Sequence, residues 1–345
     1  MKINLREVTT PLTETAKPLS LSGRSWGYVF ALLGMVLFSS KAIFVKLIYQ
    51  ARGGMAENQL DAITIMALRL GFSAPIYIAI LVWILRRRKA AGQSLPQRCD
   101  YVFAMLTGML GYYVCAWMDI EGIKYITAQL ERLLLFTYPI FVFIFGALFF
   151  GKPLTKAAVV SIIVAYAGIG IIFAGGEIAV GLNVPLGTAL VLSCAALFAF
   201  FQLFAKPLIT RMGSVLFTCC GMLGAGLVTL VHFSLENIVI GDISQTLNFP
   251  LRIWILGIAL AFFSTLLPSF LVNLALGRIG PQATAALGMI APISTIALAI
   301  FVLGESFGWV DALGTAVTIL GISLYTYWDR RAIIRPTNSV LAKDK

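Results

Sequence analysis

Charged residues are scarce in this sequence of 345 residues: they make up 12% of the chain, whereas 59% of it is hydrophobic and the mean hydropathy is +0.92. A typical soluble chain is about 25% charged. A globule of the present composition lacks the polar atoms needed to cover its surface in water, which excludes a water-soluble domain and a disordered chain. Since one bilayer-spanning helix needs roughly 20 apolar residues, the apolar content is sufficient for about ten.

Metal-ligating and disulfide-forming residues are also few. The chain has one histidine, His232, and five cysteines that form no CxxC pair. A zinc or haem site therefore has too few ligands, and we predict no metal and no cofactor. The net charge of +11 could attract nucleic acid, but in so apolar a chain we interpret it as loop charge facing the cytoplasm and predict no nucleic-acid partner.

The apolar residues fall into ten segments. They are continuous rather than alternating, so they predict helices and not the strands of a barrel. The sequence thus predicts an all-α integral membrane protein whose partners are the lipid bilayer and a small-molecule substrate. The ten predicted spans lie near 26–49, 60–85, 101–119, 125–149, 157–175, 186–205, 213–232, 252–275, 281–303 and 309–328.

The lysine and arginine residues predict the orientation of the chain. With the N-terminus in the cytoplasm, 19 of them fall in cytoplasmic loops and tails and 3 in outer loops. This asymmetry places both tails, 1–25 and 329–345, in the cytoplasm. The first tail lacks the short apolar stretch and small-residue site of a cleaved signal peptide.

The chain also repeats itself weakly. Residues 126–169 align without gaps to 279–322 at an offset of 153, and span one aligns with span six at an offset of 160. Each predicted half, 26–175 and 186–328, has five spans, and an odd number inserts the second half upside down relative to the first. Inverted repeats of this kind are typical of secondary transporters. The matched positions include Ile126/Ile279, Gln129/Gln282, Pro139/Pro292, Gly151/Gly304, Gly168/Gly321, Gly27/Gly187, Phe44/Phe204 and Lys46/Lys206.

Several of these features resemble the EamA-type drug/metabolite transporter superfamily over residues 24–330. They are Lys46 and Lys206 at the ends of spans one and six, Arg69 in span two, and the stretches 111–119 and 128–139. The resemblance implies a small-metabolite permease, often an exporter, of the bacterial cytoplasmic (inner) membrane. One departure is that the Gly-Glu pair found after spans four and nine stands as Gly304-Glu305 in the second half but as Gly151-Lys152 in the first.

Charges inside the predicted spans are the most informative residues, because each costs roughly 2.5–3.5 kcal/mol at the bilayer centre. Lys41 lies in span one, Arg69 in span two, and Glu131 and Arg132 in span four, while Asp119 closes span three. At 1.5 Å per helical residue, the first four lie roughly 9–14 Å below the outer surface. The sequence therefore predicts one charged layer formed by three helices.

Two interpretations of this layer remain open. It is either a structural ion-pair network or a substrate site whose positive field, from Lys41, Arg69 and Arg132, binds a carboxylate or phosphate. In the second case Glu131, Tyr112 and Tyr138 are further candidates for substrate binding, with Tyr113 as another cavity aromatic.

Helical spacing groups some of these candidates. It places Tyr112, Ala116 and Asp119 on one face of span three, and Glu131 and Tyr138 on one face of span four. Buried carboxyl groups can also carry protons, and Glu131 and Asp119 are the candidates for coupling. Prolines interrupt four spans at Pro75, Pro139, Pro268 and Pro292, each beside a kink or a cavity.

The predicted function is a secondary transporter, in the exporting direction, of small metabolites such as amino acids or other carboxylate-bearing compounds, with proton coupling as a further hypothesis. An uncoupled facilitator or exchanger of organic anions is the alternative. A membrane enzyme is disfavoured, because the GxSxG pattern at 304–308 joins two spans instead of a strand and a helix, and we predict no catalytic residue. A non-transporting membrane protein would need a larger soluble part than these short tails.

Overall fold

The computed structural model describes residues 21–51, 60–150, 156–175, 181–240, 249–287, 290–321 and 323–324. The described residues form α-helices joined by short turns and include no strand. The first six helices are α1 (Leu21–Ala51), α2 (Ala62–Ala90), α3 (Arg98–Tyr125), α4 (Ala128–Leu135), α5 (Tyr138–Phe150) and α6 (Lys156–Gly175).

Five further helices complete the described part of the chain. They are α7 (Val184–Met212), α8 (Ser214–Ile240), α9 (Leu251–Leu287), α10 (Ile290–Leu303) and α11 (Trp309–Gly321). Six of the described helices, namely α1, α2, α3, α7, α8 and the Leu251–Ile279 part of α9, are long and apolar enough to cross a bilayer, and shorter apolar helices accompany them. The architecture is that of a helical membrane protein.

Large apolar side chains cover much of the surface of this bundle. Trp26, Trp83, Leu148, Phe301 and Trp309 are all more than half exposed. A soluble monomer rarely exposes apolar patches beyond a few hundred Å², so this surface is suited to lipid contact. The buried apolar residues form clusters between helices that are distant in the sequence.

Helix α9 differs from the sequence prediction. We expected a loop between the eighth and ninth spans, near 276–280, but the chain stays helical up to Leu287. The contact with α1 continues past the expected loop, since Arg278 lies over the ring of Phe30 at 4.8 Å and Ile279 packs against Gly27. Tertiary packing thus outweighs the low helix propensity of the local glycines.

The fourth predicted span is broken, as its proline predicted. Helix α4 ends at Leu135, and α5 begins at Tyr138. Proline has no amide hydrogen, so Pro139 cannot donate to the carbonyl of Leu135. At the break, the amide and the hydroxyl of Thr137 both donate to the Leu134 carbonyl (3.1 and 2.7 Å). By contrast, α2 runs through Pro75 without a break.

Two of the long helices contain a π-helical turn, and the two turns occupy matched positions. One spans Met109–Val114 in α3 and the other Phe262–Leu266 in α9. The first residues of the turns differ by 153 positions, the offset of the sequence repeat. π-helical turns occur frequently at functional sites, and both of these line the cavity described below.

Glycine contacts follow the same pairing. A Cβ atom on Gly27 would lie 2.6 Å from Cγ2 of Ile279, and one on Gly187 would lie 2.7 Å from Cγ2 of Ile126. Gly187 is the counterpart of Gly27 at an offset of 160, and Ile279 is the counterpart of Ile126 at an offset of 153. Both contacts therefore join the two halves of the sequence, and they do so at equivalent positions.

A second pair of contacts links α6 to α11. A Cβ atom on Gly168 would overlap Thr318, and a Cβ atom on Gly321 would overlap Ala165. At the offset of 153, Gly321 is the counterpart of Gly168 and Thr318 is the counterpart of Ala165. The two contacts are thus related by exchange of the two halves, which is what a pseudo-two-fold axis between them requires.

Candidate functional site

A cavity of about 120 Å³ lies in the interior of the bundle. Helices from both halves of the sequence surround it, including the two segments with π-helical turns. Its wall includes Phe38, Lys41, Arg69, Tyr112, Cys115, Ala116, Asp119, Arg132, Phe136, Tyr138, Cys194, Phe198, Phe201, Gln202, Ser264, Thr265, Ser269, Val272, Asn273 and Thr284.

Repeat counterparts meet across this cavity. Phe38 and Phe198 both line it, as do Tyr112 and Thr265. Lys41 has Phe201 as its counterpart, and Asp119 has Val272, which also line the wall. The cavity therefore lies where the two halves face each other, but its charges come from the first half and neutral side chains stand in their places in the second.

The predicted charged layer forms, and an ion pair lies at its centre. Nζ of Lys41 in α1 donates directly to Oδ2 of Asp119 in α3, and both side chains are at most 4% exposed. Asp119 lies inside α3 rather than at its end, because the helix continues to Tyr125 beyond the predicted boundary. The layer thus joins two helices through full charges buried from solvent.

The two charges on α4 extend this network. Glu131 neighbours both Asp119 and Lys41, and Nε of Arg132 lies 3.7 Å from Oε2 of Glu131. Among the described residues, neither carboxylate oxygen of Glu131 has a hydrogen-bond partner. Glu131 is fully buried and lies behind the cavity wall rather than on it.

Arg69 is placed differently from the other two cations. Its Nη2 donates to the backbone carbonyl of Tyr112 (3.1 Å) in the π-helical turn of α3, and its Nε has no partner among the described residues. Within the described part of the chain, no carboxylate lies within ion-pair distance of it. Arg69 is 5% exposed and lines the cavity.

An aromatic ring supports the other two cations. Nζ of Lys41 lies 5.2 Å from the centroid of the Phe38 ring, and the guanidinium carbon of Arg132 lies 5.4 Å from it. A cation at this distance is attracted by the negative face of the ring. Phe38 thus holds Lys41 and Arg132 on the same side of the cavity.

Of the three predicted tyrosines, two line the cavity and one does not. Tyr112 and Tyr138 line the cavity, as do Ala116 and Asp119 on the face of Tyr112. Glu131 and Tyr138 do not share a helix face, because α4 ends at Leu135 and α5 begins at Tyr138, so the helical periodicity is interrupted between them. Tyr113 lies away from the cavity and shares a hydrogen bond of 2.7 Å with Nδ1 of His232.

The second half contributes a polar wall that the sequence reasoning missed. Nδ2 of Asn273 donates to the Tyr112 hydroxyl (2.9 Å) and to Oγ1 of Thr218 (2.7 Å), and Ser269 shares a hydrogen bond of 2.8 Å with the Tyr77 hydroxyl. The i, i+4 spacing of Thr265, Ser269 and Asn273 within an apolar run was the available signal, since residues four apart share one helix face.

Glu305 has a structural contact with α4. Its carboxylate accepts hydrogen bonds from the backbone amides of Ala128 (3.0 Å) and Gln129 (3.4 Å) at the helix N-terminus, where a negative charge is favoured. The segment 304–308 that contains it connects two helices. The first-half counterpart, Gly151-Lys152, lies outside the described residues.

Comparison with known proteins identifies the class. A family model described as the EamA-like transporter family matches the chain twice, over residues 25–174 and 185–327. The chain is also 26% identical over 288 residues to a protein named uncharacterized transporter YcbK of Bacillus subtilis (strain 168), covering 84% of this chain and 88% of that protein.

Two further comparisons agree with this match. The chain is 22% identical over 258 residues to uncharacterized transporter YyaM of the same organism, covering 74% of this chain and 81% of that protein. A solved crystal structure superposes on 89% of this chain and 99% of its own, with a TM-score of 0.59 and 16% sequence identity, which shows a shared fold.

Together, the apolar helices and these matches define a multi-pass membrane transporter. The chain belongs to the EamA-like transporter family, which confirms the resemblance seen in the sequence.

Proposed function

We propose that this protein is a secondary transporter that moves small organic metabolites bearing a carboxylate out of the cell by alternating access. The observation that carries the proposal is the interior cavity, which both halves of the chain enclose and which contains a buried arginine without a carboxylate partner among the described residues. A cation buried in a membrane protein needs a partner or a task. A transported carboxylate is such a partner.

The layout that suits this function is ten transmembrane helices in two inverted five-helix repeats. The matched π-helical turns of α3 and α9 support it, as do the glycine contacts that interchange under the repeat offsets. The double match of the family model agrees with halves at 26–175 and 186–328. In this layout the protein lies in the bacterial inner membrane with both tails in the cytoplasm, and one half moves against the other around the cavity.

The charge balance of the layer favours an anionic group on the substrate. Lys41, Arg69 and Arg132 carry three positive charges, and Asp119 and Glu131 carry two negative charges. With all five ionised the layer has a net charge of +1, and a monocarboxylate would neutralise it. Lys41 donates to Asp119, and Arg132 lies 3.7 Å from Glu131, so the ion-pair interpretation applies to them, although Nε and Nη2 of Arg132 make no hydrogen bond among the described residues. Arg69 has no carboxylate within ion-pair distance in the described part of the chain, and we assign the substrate carboxylate to it.

Proton coupling is assigned to Asp119 and Glu131. Their carboxyl groups are neighbours, and two adjacent carboxylates repel each other when both are ionised. Protonation of Asp119 would release Lys41, while substrate binding on Arg69 would change the net charge of the same layer. Protonation and substrate binding would thus be coupled through one electrostatic field.

Flux in proteoliposomes tests the proposal. The purified protein is reconstituted with a mixture of the twenty amino acids and common organic acids inside, and efflux is measured by mass spectrometry with and without an imposed pH gradient. We expect efflux of carboxylate-bearing compounds that the gradient accelerates, and we expect Glu131→Gln and Asp119→Asn to abolish the acceleration.

Each possible result decides one part of the proposal. If the wild-type protein shows the same rate of efflux with and without the pH gradient, proton coupling is wrong and uncoupled exchange is favoured. Efflux of amines or sugars without a carboxylate, added to the same mixture, at the rate of the carboxylate-bearing compounds would contradict recognition of the carboxylate. Protein-free liposomes and liposomes with Arg252→Gln, which changes an exposed arginine at the start of α9, are the controls.

A further inference from the structure

We propose that the substrate is a monocarboxylate whose apolar body has the size of a single aromatic ring, with its carboxylate on Arg69 and its body against a wall of aromatic side chains. This inference rests on the proposed function, because it names the substrate class of the same cavity. Three observations support it: the unpartnered hydrogen-bond donors of Arg69, the aromatic residues of the cavity wall and the volume of the cavity.

The first observation is the number of donors that Arg69 retains. A guanidinium has five N–H donors, and the described contacts of Arg69 use one, from Nη2 to the Tyr112 carbonyl. That bond fixes the side chain in place while Nε remains without a partner. The planar guanidinium matches a carboxylate with two parallel hydrogen bonds, so Arg69 is oriented before the ligand arrives.

The second observation is a continuous series of ring contacts along the wall. Successive ring centroids lie 5.7, 5.2, 5.4 and 5.0 Å apart, in the order Phe136, Tyr138, Phe198, Phe201 and Tyr112. Tyr112 ends the series and is also the residue whose carbonyl holds Arg69. A ligand carboxylate on Arg69 therefore places the rest of the ligand beside aromatic rings, which favour an aromatic or similarly flat apolar body.

The third observation is the volume. The cavity measures about 120 Å³, whereas pockets for drug-sized ligands measure about 300–1,000 Å³. An apolar protein cavity of about 150 Å³ takes up benzene. The space in this conformation is therefore no larger than one ring requires, and it is too small for a two-ring or nucleotide-sized molecule.

The remaining charges restrict the ligand to a single negative charge. A phosphate or a dicarboxylate would need a second cation whose charge is not already balanced, but Lys41 pairs with Asp119 and the charge of Arg132 is balanced by Glu131 at 3.7 Å. A sugar would need many hydrogen-bonding groups, but the polar side chains of the opposite wall already bond to one another, Asn273 to Tyr112 and Thr218, and Ser269 to Tyr77. A monocarboxylate with an apolar body satisfies both the charge and the wall.

Binding to the purified full-length protein in detergent tests the proposal, with benzoate as the probe and displacement of radiolabelled benzoate as the readout. Benzamide keeps the ring and removes the charge, acetate keeps the charge and removes the ring, and 2-naphthoate adds a second ring. We expect saturable benzoate binding, with each of the three analogues at least tenfold weaker. Benzamide or acetate binding as tightly as benzoate would overturn the role of Arg69 or of the aromatic wall, respectively.

Variants assign the site. We expect Arg69→Gln to weaken benzoate binding at least tenfold, Arg69→Lys to weaken it less, and Phe201→Leu to reduce the preference for benzoate over acetate, while Arg252→Gln leaves binding unchanged. Because Arg69 variants can fail to fold, the analogue series on the wild-type protein decides the question independently. Unchanged binding in a folded Arg69→Gln protein would contradict the proposal.

The two proposals can fail separately. If proteoliposomes transport other carboxylates but the protein does not bind benzoate, the transporter stands and the ring-sized class is wrong. If benzoate binds as expected but no compound in the mixture is transported, the site stands and the proposed function is wrong.

Discussion

At the scale of single residues, the Lys41–Asp119 pair determines the stability of the charged layer. Both groups are buried, and Lys41 donates directly to the carboxylate. Removing one partner of such a pair leaves an uncompensated charge and costs about 3–5 kcal/mol, whereas replacing both by apolar residues is often neutral. We therefore expect Lys41→Met to destabilise the protein by several kcal/mol, and Lys41→Met combined with Asp119→Leu to recover most of that loss.

The melting temperature in detergent, followed by tryptophan fluorescence, measures both effects. Lys206→Met, at the repeat counterpart of Lys46 and outside the layer, is a control for loss of a lysine in a helix. If the double variant is as unstable as the sum of the two single variants, the two side chains do not act as a pair.

Most of the charged site could be predicted at the residue scale, because a charge in an apolar helix is conspicuous. Lys41, Arg69, Asp119 and Arg132 all reach the cavity. The pairing could not be predicted, since it depends on which rotamers and helix rotations bring two groups together. The polar wall of Ser269 and Asn273 was missed because uncharged polar residues are common in membrane helices.

At the scale of elements, the positions of breaks and glycines follow from local chemistry, but their consequences depend on neighbours. A proline predicted the break before α5, yet Pro75 leaves α2 continuous. Glycines in membrane helices allow a neighbouring helix to approach closely. Gly168, Gly221 and Gly224 have a neighbouring helix in contact, whereas Gly170 and Gly226 face open space. No sequence pattern distinguishes these glycines, because the difference lies in the helix opposite.

The glycine contact between α3 and α8 gives a prediction. A Cβ atom on Gly108 would overlap the backbone of Gly221, and overpacking typically costs about 1–3 kcal/mol. We expect Gly108→Ala to lower the melting temperature in detergent or to abolish a monodisperse elution profile. Gly170→Ala is the matched control: it meets no atom within 4 Å and should be neutral or stabilising by about 0.5–1 kcal/mol. Equal effects of the two substitutions would contradict the close contact.

Glu305 gives a second prediction at this scale. It accepts hydrogen bonds from Ala128 and Gln129, the first amides of α4, and helix capping contributes about 0.5–2 kcal/mol. We expect Glu305→Ala to lower the free energy of unfolding within that range and Glu305→Gln, which keeps one carbonyl acceptor, to lower it less.

The measurement is again the melting temperature, with Glu236→Ala as the control. Glu236 is about one-third exposed and pairs with His232, so its loss should cost little. A Glu236→Ala effect as large as that of Glu305→Ala would show that loss of an acidic side chain, and not loss of the cap, destabilises the protein.

At the scale of the whole molecule, the two halves have equivalent backbone contacts, but the charges of the cavity come from the first half. Equivalent glycine contacts and equivalent π-helical turns build a symmetric frame around the cavity. Under the proposed function, charges placed in one half of that frame give the ligand one orientation, because Phe201 and Val272 stand where the other half has Lys41 and Asp119. Under the proposed function, one half moves against the other within this frame and the charges select the substrate.

The inverted layout makes a direct prediction about sidedness. Cys99 is exposed and the other four cysteines are buried, and the offset of 153 makes the exposed residue Arg252 its counterpart. If the halves are inverted, these two positions lie on opposite sides of the membrane, with Cys99 in the cytoplasm. We expect a membrane-impermeant maleimide to label the wild-type protein in inside-out vesicles but not in intact cells, and to label Arg252→Cys in a Cys99→Ser background in intact cells. Labelling of both positions from the same side would contradict the inversion, whereas loss of all labelling in Cys99→Ser confirms that the signal comes from that cysteine.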